Sequence, residues 1–456
     1  MAGSEKKKRV LRVASFIAVA AAIAVTGFTI GSSEGVADPG PILRGDRHQA
    51  GDPLPGLSPE LNELFDEGRA LFEHEFTPSE GLGPIYNERA CQTCHGGLGT
   101  TPGGPDPNGL DSEFNVTHFA KDVEGLFFQQ WDRGGPLLEK RTIQDLVPDC
   151  AMPPDTIPED SNVLSIRHTP AVWGFGLIDA IPDSEILERQ DLGVDGIRGT
   201  PNYGRELRAV AKEPHMLSPN VEIRGPVRVG RFGWKAQTPT LLQFSMEPLN
   251  TELGVSGPFF PQEQTAEGPR FADELPPECD VADHPVNDPD GSIGTSIYHF
   301  QALVAPPPRK PLRGGALVGR YLFNRIGCDN CHTPKMRTGP EYWLRLDAET
   351  SVRVPQLENR DVHLYSDLLT HDMGDALADD QGATVGRVMG NADGRRWRTT
   401  PLWGLRFKEA YLHDGRTDDL REAVLLHGGE ADIVRERFER LPRKVQDMML
   451  EFLMSI

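Results

Sequence analysis

Two short stretches, "CQTCH" at residues 91–95 and "CDNCH" at residues 328–332, constrain this chain more than any other feature. Each sets two cysteines one helical turn apart and follows the second directly with a histidine. A zinc ribbon would join cysteine pairs about 15–20 residues apart, whereas most of the middle of the chain separates Cys94 from Cys328. A dithiol redox pair has no use for the histidine, and neither motif lies in a βαβ pattern. Covalently attached haem uses all three residues: the cysteines form thioethers with the vinyl groups, and the histidine reaches the iron as proximal ligand. Cys91, Cys94, Cys328 and Cys331 are therefore the expected attachment points of two covalently bound haem c groups, with His95 and His332 as iron ligands.

Such haem is attached outside the cytoplasm, and the N-terminus agrees. Lys6 to Arg9 form a basic flank, Val13 to Ile30 are mostly apolar, and Gly35 and Ala37 suit a cleavage site. The apolar run falls just short of the roughly 20 residues of a comfortable membrane span. Residues 1–37 are thus expected to be a signal peptide or an N-terminal membrane anchor, with the rest exported to the periplasm or another extracytoplasmic compartment. In that compartment the two remaining cysteines, Cys150 and Cys279, most economically form a disulfide. The net charge of −21 argues against nucleic acid and favours a partner with a basic face.

Residues 38–57 form a linker rich in Pro, Gly and Asp. Ser58 and Pro59 then open a helix whose Leu61, Leu64, Phe65, Leu71 and Phe72 share a stripe. Its "GRALF" (68–72) returns as "GRYLF" (319–323), and both lead into a haem motif. "RHTPAVWGFG" (167–176) follows the first motif much as "RTTPLWGLR" (398–406) follows the second. A Pro- and Asp-rich stretch, 268–312, separates the halves, and a helix carrying Val445, Met448, Met449, Phe452 and Leu453 closes the second. The pattern predicts a mainly α fold with a duplicated haem domain, over residues 58–300 and 301–456. With 48 glycines and 39 prolines, long loops connect its elements.

The strings "GPIYNERACQTCHGG", "GRFGWKAQTPTLLQF", "GCDNCHTPK", "YSDLLTHDMGDALAD" and "WRTTPLWGLRFKEAYLHDGRTDDLREAVLLHGGEA" resemble the bacterial di-haem oxidoreductases, relatives of the di-haem cytochrome c peroxidases. The resemblance spans most of the chain after the linker. It implies two cytochrome c-like domains with facing haems, one relaying electrons and one reducing peroxide. In those relatives a His-Asp-Gly segment precedes a helix, and a methionine after it ligates the relay haem. Here His413-Asp414-Gly415 is kept and His427 stands at the methionine position, which makes His427 the expected sixth ligand opposite His332. His413 and Arg416 are expected to support the ring or hold a haem propionate, and His371 and Met373 are further ligand candidates.

At the first haem, His118 is a candidate distal ligand, while His168 is expected to pack beside its Thr-Pro. The relatives move protons with a carboxylate, for which Glu185, Glu188, Glu247 and Glu252 are candidates. Trp234 resembles the tryptophan that lies between the haems, with Trp173 and Trp403 as rivals. The expected function is an exported, peroxidase-like oxidoreductase. A small cytochrome or copper protein would donate electrons through the C-terminal haem, and the N-terminal haem would reduce a small molecule such as hydrogen peroxide. The alternatives are a di-haem electron carrier without a substrate site, and a haem oxidase or oxygenase acting on an organic or protein substrate.

Overall fold

The computed structural model describes residues 49–95, 115–347 and 349–456, apart from 124, 125, 129, 135, 136, 191–193, 207–225, 271, 281–286 and 380–391. The expected signal or anchor segment, 1–37, lies outside the described residues. Among the described residues no helix is long and apolar enough to cross a membrane.

Ten α-helices occur among the described residues: α1 (Pro59–Glu73), α2 (Cys91–Cys94), α3 (Phe175–Asp179), α4 (Asp183–Leu187), α5 (Leu241–Thr251), α6 (Ser292–Leu303), α7 (Gly315–Ile326), α8 (Leu420–Leu425), α9 (Asp432–Glu439) and α10 (Arg443–Leu453). Helix α1 starts where its sequence dictates. Ser58 accepts a hydrogen bond from the Leu61 amide, Pro59 occupies the first turn, and Leu61, Phe65, Gly68 and Phe72 are buried. Helix α7 buries Gly319, Leu322, Phe323 and Ile326 and ends at Gly327, whose φ of 99° turns the chain straight into the second motif.

The two halves are built alike. Helix α1 crosses α6, and α7 crosses α10, at the same glycine of the repeated "GRxLF" string. A methyl group on Gly68 would run into the carbonyl of Ser296, and one on Gly319 into the carbonyl of Met448. The phenylalanine of each string then bridges the crossing to the haem motif. Phe72 lies 5.0 Å from Phe300 and 5.6 Å from His95, centre to centre. Phe323 lies 5.4 Å from Phe452 and 6.3 Å from His332. Helix α6 is therefore the closing helix of the first half, as α10 is of the second. It lies within the stretch expected to be inter-domain loop, and the boundary expected at residue 300 falls inside it.

The expectation of a mainly α fold needs correction, since the structure is mixed, 34% helical and 15% strand. Its strands are short pieces of the Gly/Pro-rich loops that satisfy their backbone groups by pairing with one another. In the longest sheet Asn115–Val123 lies between Leu126–Phe128 and Val163–His168, all antiparallel. Val163, Ser165 and Arg167 are buried on one face of the last strand. Such brief alternation is easily read as loop in a sequence so rich in turn residues. Cys150 and Cys279 are joined by a disulfide across 129 residues, tying the loop after the first motif to the segment before α6.

Candidate di-haem site

The four motif cysteines are free thiols, in contrast to the bonded Cys150–Cys279 pair. The second motif opens on a cavity of about 240 Å³ walled by residues of both halves, among them Cys328, Cys331, His332 and His427. His332 and His427 face one another with ring centres 6.5 Å apart. The Nδ1 of His332 is hydrogen-bonded to the Tyr365 carbonyl at 3.1 Å, and that of His427 to the Ala423 carbonyl at 2.8 Å. Each ring is thereby oriented with Nε2 left for a metal. Burial holds both rings below the ordinary histidine value, His332 at about 4. Neutral rings are the form a metal requires.

Four Lys and Arg residues line the same cavity, Arg398 and Lys408 among them. Burial lowers these two to about 10 and about 8. Anionic propionates at the rim of an otherwise apolar group are the natural counter-charge for them. Arg416, expected in that role, is exposed. It binds Asp414 at 2.7 Å and the Ala376 carbonyl at 2.5 Å, away from the cavity wall. His413 does line the cavity, stacked on Trp397 at 3.6 Å.

His371 also lines the cavity, but neither of its nitrogens is free. Nε2 meets Asp367 at 2.8 Å and Nδ1 meets Glu430 at 2.9 Å. Burial is the largest single influence and opposes charge on this ring, yet Asp367 and Cys331 together outweigh it and hold the imidazole well above its ordinary value. A doubly paired imidazolium has no lone pair for iron, so His371 is no ligand in this arrangement. Met373 remains on the cavity wall, its carbonyl packed against Gly428.

The first motif sits in its own half. His95 is held by the Pro170 carbonyl at 2.9 Å, as His332 is by Tyr365, and burial lowers it to about 4. His118 has a buried Nδ1 without a hydrogen-bond partner among the described residues. It lies in the sheet opposite Ser165, and the charged groups that face it are Arg167 and Asp379. The strand pairing fixes His118 at that place, which sequence distance from His95 could not reveal. His168 packs at the junction of the halves, its amide donating to the His413 carbonyl at 2.6 Å.

The carboxylate candidates separate cleanly. Glu185 is paired with Arg189 at 2.8 Å and accepts the Arg337 amide at 3.0 Å, and Glu188 is exposed. Glu247 and Glu252 both belong to α5 or its C-terminal cap, and burial raises each to about 7. Glu252 is close enough to the first motif for its charge to act on both Cys91 and Cys94, and the Asn87 amide binds it at 2.8 Å.

Trp234 lies on the cavity wall between the halves. Its indole donates to the His168 carbonyl at 2.7 Å, and its ring centre is 6.5 Å from that of His413. Trp173 is buried against Phe407. Trp403 lines the cavity and packs against Gly174. Sequence reasoning missed Trp397, which Lys235 covers at 3.5 Å and Arg167 at 4.3 Å. Its one signal is an aromatic residue among arginines just before a Thr-Pro.

The fold and the site together define a two-module redox protein, each module presenting a Cys-x-x-Cys-His motif from an equivalent helix crossing. The chain matches the family described as "Di-haem oxidoreductase, putative peroxidase" over residues 152–456, and it belongs to that family. No curated protein matches it. Among solved structures, hydrazine synthase of Kuenenia stuttgartiensis under xenon pressure is 13% identical, with a TM-score of 0.37, over 91% of this chain and 98% of that one. A MauG-like protein associated with microbial copper homeostasis is 14% identical, with a TM-score of 0.28, over 67% of this chain and 93% of that one. Neither likeness is close enough to bear on function.

Proposed function

We propose that this di-haem oxidoreductase is an exported, c-type peroxidase, taking electrons from a basic-faced donor protein through the C-terminal site and reducing peroxide at the N-terminal one. The observation that carries this reading is the pair of buried carboxyls on α5 and its cap. Burial raises Glu247 and Glu252 to about 7, and the charge of Glu252 acts on Cys91 and Cys94 of the first motif. His332 is faced by His427 in the second half, and on this reading the N-terminal haem keeps an open site for substrate.

The haems supply the redox equivalents and the metal at which peroxide binds. The thioether cysteines fix each group, the paired imidazoles His332 and His427 hold the C-terminal iron, and Arg398 and Lys408 hold propionates. Trp234, fixed by its bond to His168, lies between the halves on the path of the electrons. Glu252 receives a proton from bound peroxide and returns it to the departing oxygen. The overall reaction consumes two electrons and two protons for each peroxide and yields two waters.

The test is the spin state of the ferric holoprotein together with its peroxide kinetics. One low-spin and one high-spin haem are expected, and two low-spin haems in every redox state would instead mark an electron carrier. Because Glu252 must be ionised to take the first proton, the bimolecular rate should rise with pH through about 7. Glu252→Gln should abolish that rise and lower the rate by roughly 10²–10⁴-fold.

A further inference from the structure

Behind Glu252 lies a second pair of carboxyls that the scheme above does not use. Glu139 is buried, 2% exposed, and its Oε2 has no hydrogen-bond partner among the described residues. Its amide donates to Asp155 Oδ2 at 3.3 Å, and the Asp155 charge acts on the Glu139 carboxyl. Asp155 is 7% exposed, and its Oδ1 accepts the Thr156 amide at 2.8 Å. On the other side, the Lys140 amide donates to Asn87 Oδ1 at 3.1 Å, and Asn87 Nδ2 donates to Glu252 at 2.8 Å. One asparagine side chain thus ties the Glu139–Lys140 backbone to the Glu252 carboxyl.

An unpartnered buried carboxylate oxygen is costly, and two adjacent carboxyls cannot readily both ionise. The pair is stable when it shares a proton. The charged groups that act on Glu139 are Asp155 and Glu252, both acidic; the Lys140 ammonium acts on Glu252 instead. Burial, reinforced by those two carboxyls, raises Glu139 well above its ordinary value, and burial raises Asp155 to about 6. Such a pair at neutral pH is a stored proton beside a group that titrates there.

We propose that Glu139 and Asp155 form a proton-storing carboxyl pair that reloads Glu252 during turnover, with Asn87 as the positioning residue. The proposal rests on the assignment of Glu252 as the proton-transferring group. Each peroxide removes two protons by way of Glu252. Glu139 passes its proton to the ionised Glu252, and Asp155 returns one to Glu139 from outside. No electron moves in these steps.

The experiment uses the full-length holoprotein and two readouts. The infrared difference spectrum at pH 7, wild type minus Glu139→Gln, should show the C=O band of a protonated buried carboxyl. In peroxide kinetics at pH 7 and above, Glu139→Gln should slow steady-state turnover about tenfold more than the first bimolecular reaction, within the range of proton-transfer effects. Glu139→Asp should restore part of it. Asp155→Asn, at the outer end, should show the same selective loss and serves if Glu139→Gln does not fold. A difference spectrum without that band, or equal slowing of both phases, overturns the proposal. An unaltered bimolecular rate in Glu252→Gln overturns the reading beneath it, while the band still reports whether the Glu139–Asp155 pair holds its proton.

Discussion

His427 is the residue whose chemistry is easiest to isolate. A neutral imidazole is a harder, more basic donor than a thioether, and it stabilises the ferric state. His427→Met should raise the potential of the C-terminal haem alone, by on the order of 100 mV, and add the near-infrared band of sulfur ligation. His427→Ala should turn one low-spin signal high-spin while the haem on His95 keeps its spectrum. Redox titration with electronic spectra of both variants checks this. Unchanged potentials would transfer the role to Met373, since Asp367 and Glu430 already occupy His371. His427 was legible as a candidate because it departs from a motif. The carbonyls that aim it, Tyr365 for His332 and Ala423 for His427, were not, because backbone atoms leave no mark in a sequence.

The helix crossings are the elements on which both haem motifs depend. Gly68 and Gly319 sit where backbones touch, so any side chain there must push α6 or α10 away from the motif. Gly319→Ala should cost about 1–3 kcal/mol by overpacking, despite the better helix propensity of alanine. Gly315→Ala, which in the same helix meets only the flexible ends of Glu451 and Met448, should cost less. Denaturant titration of the two variants gives the comparison, and equal stabilities would remove the crossing argument. The "GRxLF" repeat announced the duplication. That the glycine is the point of contact could be learned only from the partner helix, hundreds of residues distant in one comparison and over a hundred in the other.

At the scale of the whole molecule, a buried ion cluster holds the halves together. Asp379, from the C-terminal half, meets Arg167 at 2.9 Å, Lys235 at 2.9 Å and the Ser165 hydroxyl, all from the N-terminal half. Burial alone would raise its carboxyl, but Arg167 and Lys235 hold it well below the ordinary carboxylate range. A depressed folded value means the contribution to stability is present above the ordinary value and is lost as pH falls through the depressed one. Asp379→Asn leaves two buried cations without their counter-charge and should cost about 3–5 kcal/mol. It should also loosen the stack of Trp397 on His413 that these cations cover. Thermal unfolding at neutral and acidic pH checks both points: the wild type should approach the variant only as the medium becomes strongly acidic. A variant as stable as the wild type at pH 7 would mean this cluster adds nothing to holding the halves together.

The sequence by itself supplied the two Cys-x-x-Cys-His motifs and, with them, the expectation of covalent haem. A Cys-x-x-Cys-His motif is local chemistry, complete within five residues, and the internal repeat doubled it. Capping residues and apolar stripes likewise set helices such as α1 before any tertiary contact is known. Only the tertiary structure decided which side chains oppose one another across a cavity. It placed His118 in a sheet opposite Ser165, turned Arg416 onto Asp414 and the Ala376 carbonyl, and surrounded His371 with two carboxylates. It buried the carboxyls of Glu247 and Glu252 while leaving Glu188 exposed, and it brought in Glu139 and Trp397, which no pattern marked. The physical reason is that burial and electrostatic environment are sums over groups distant in the chain, whereas a motif is written in neighbours.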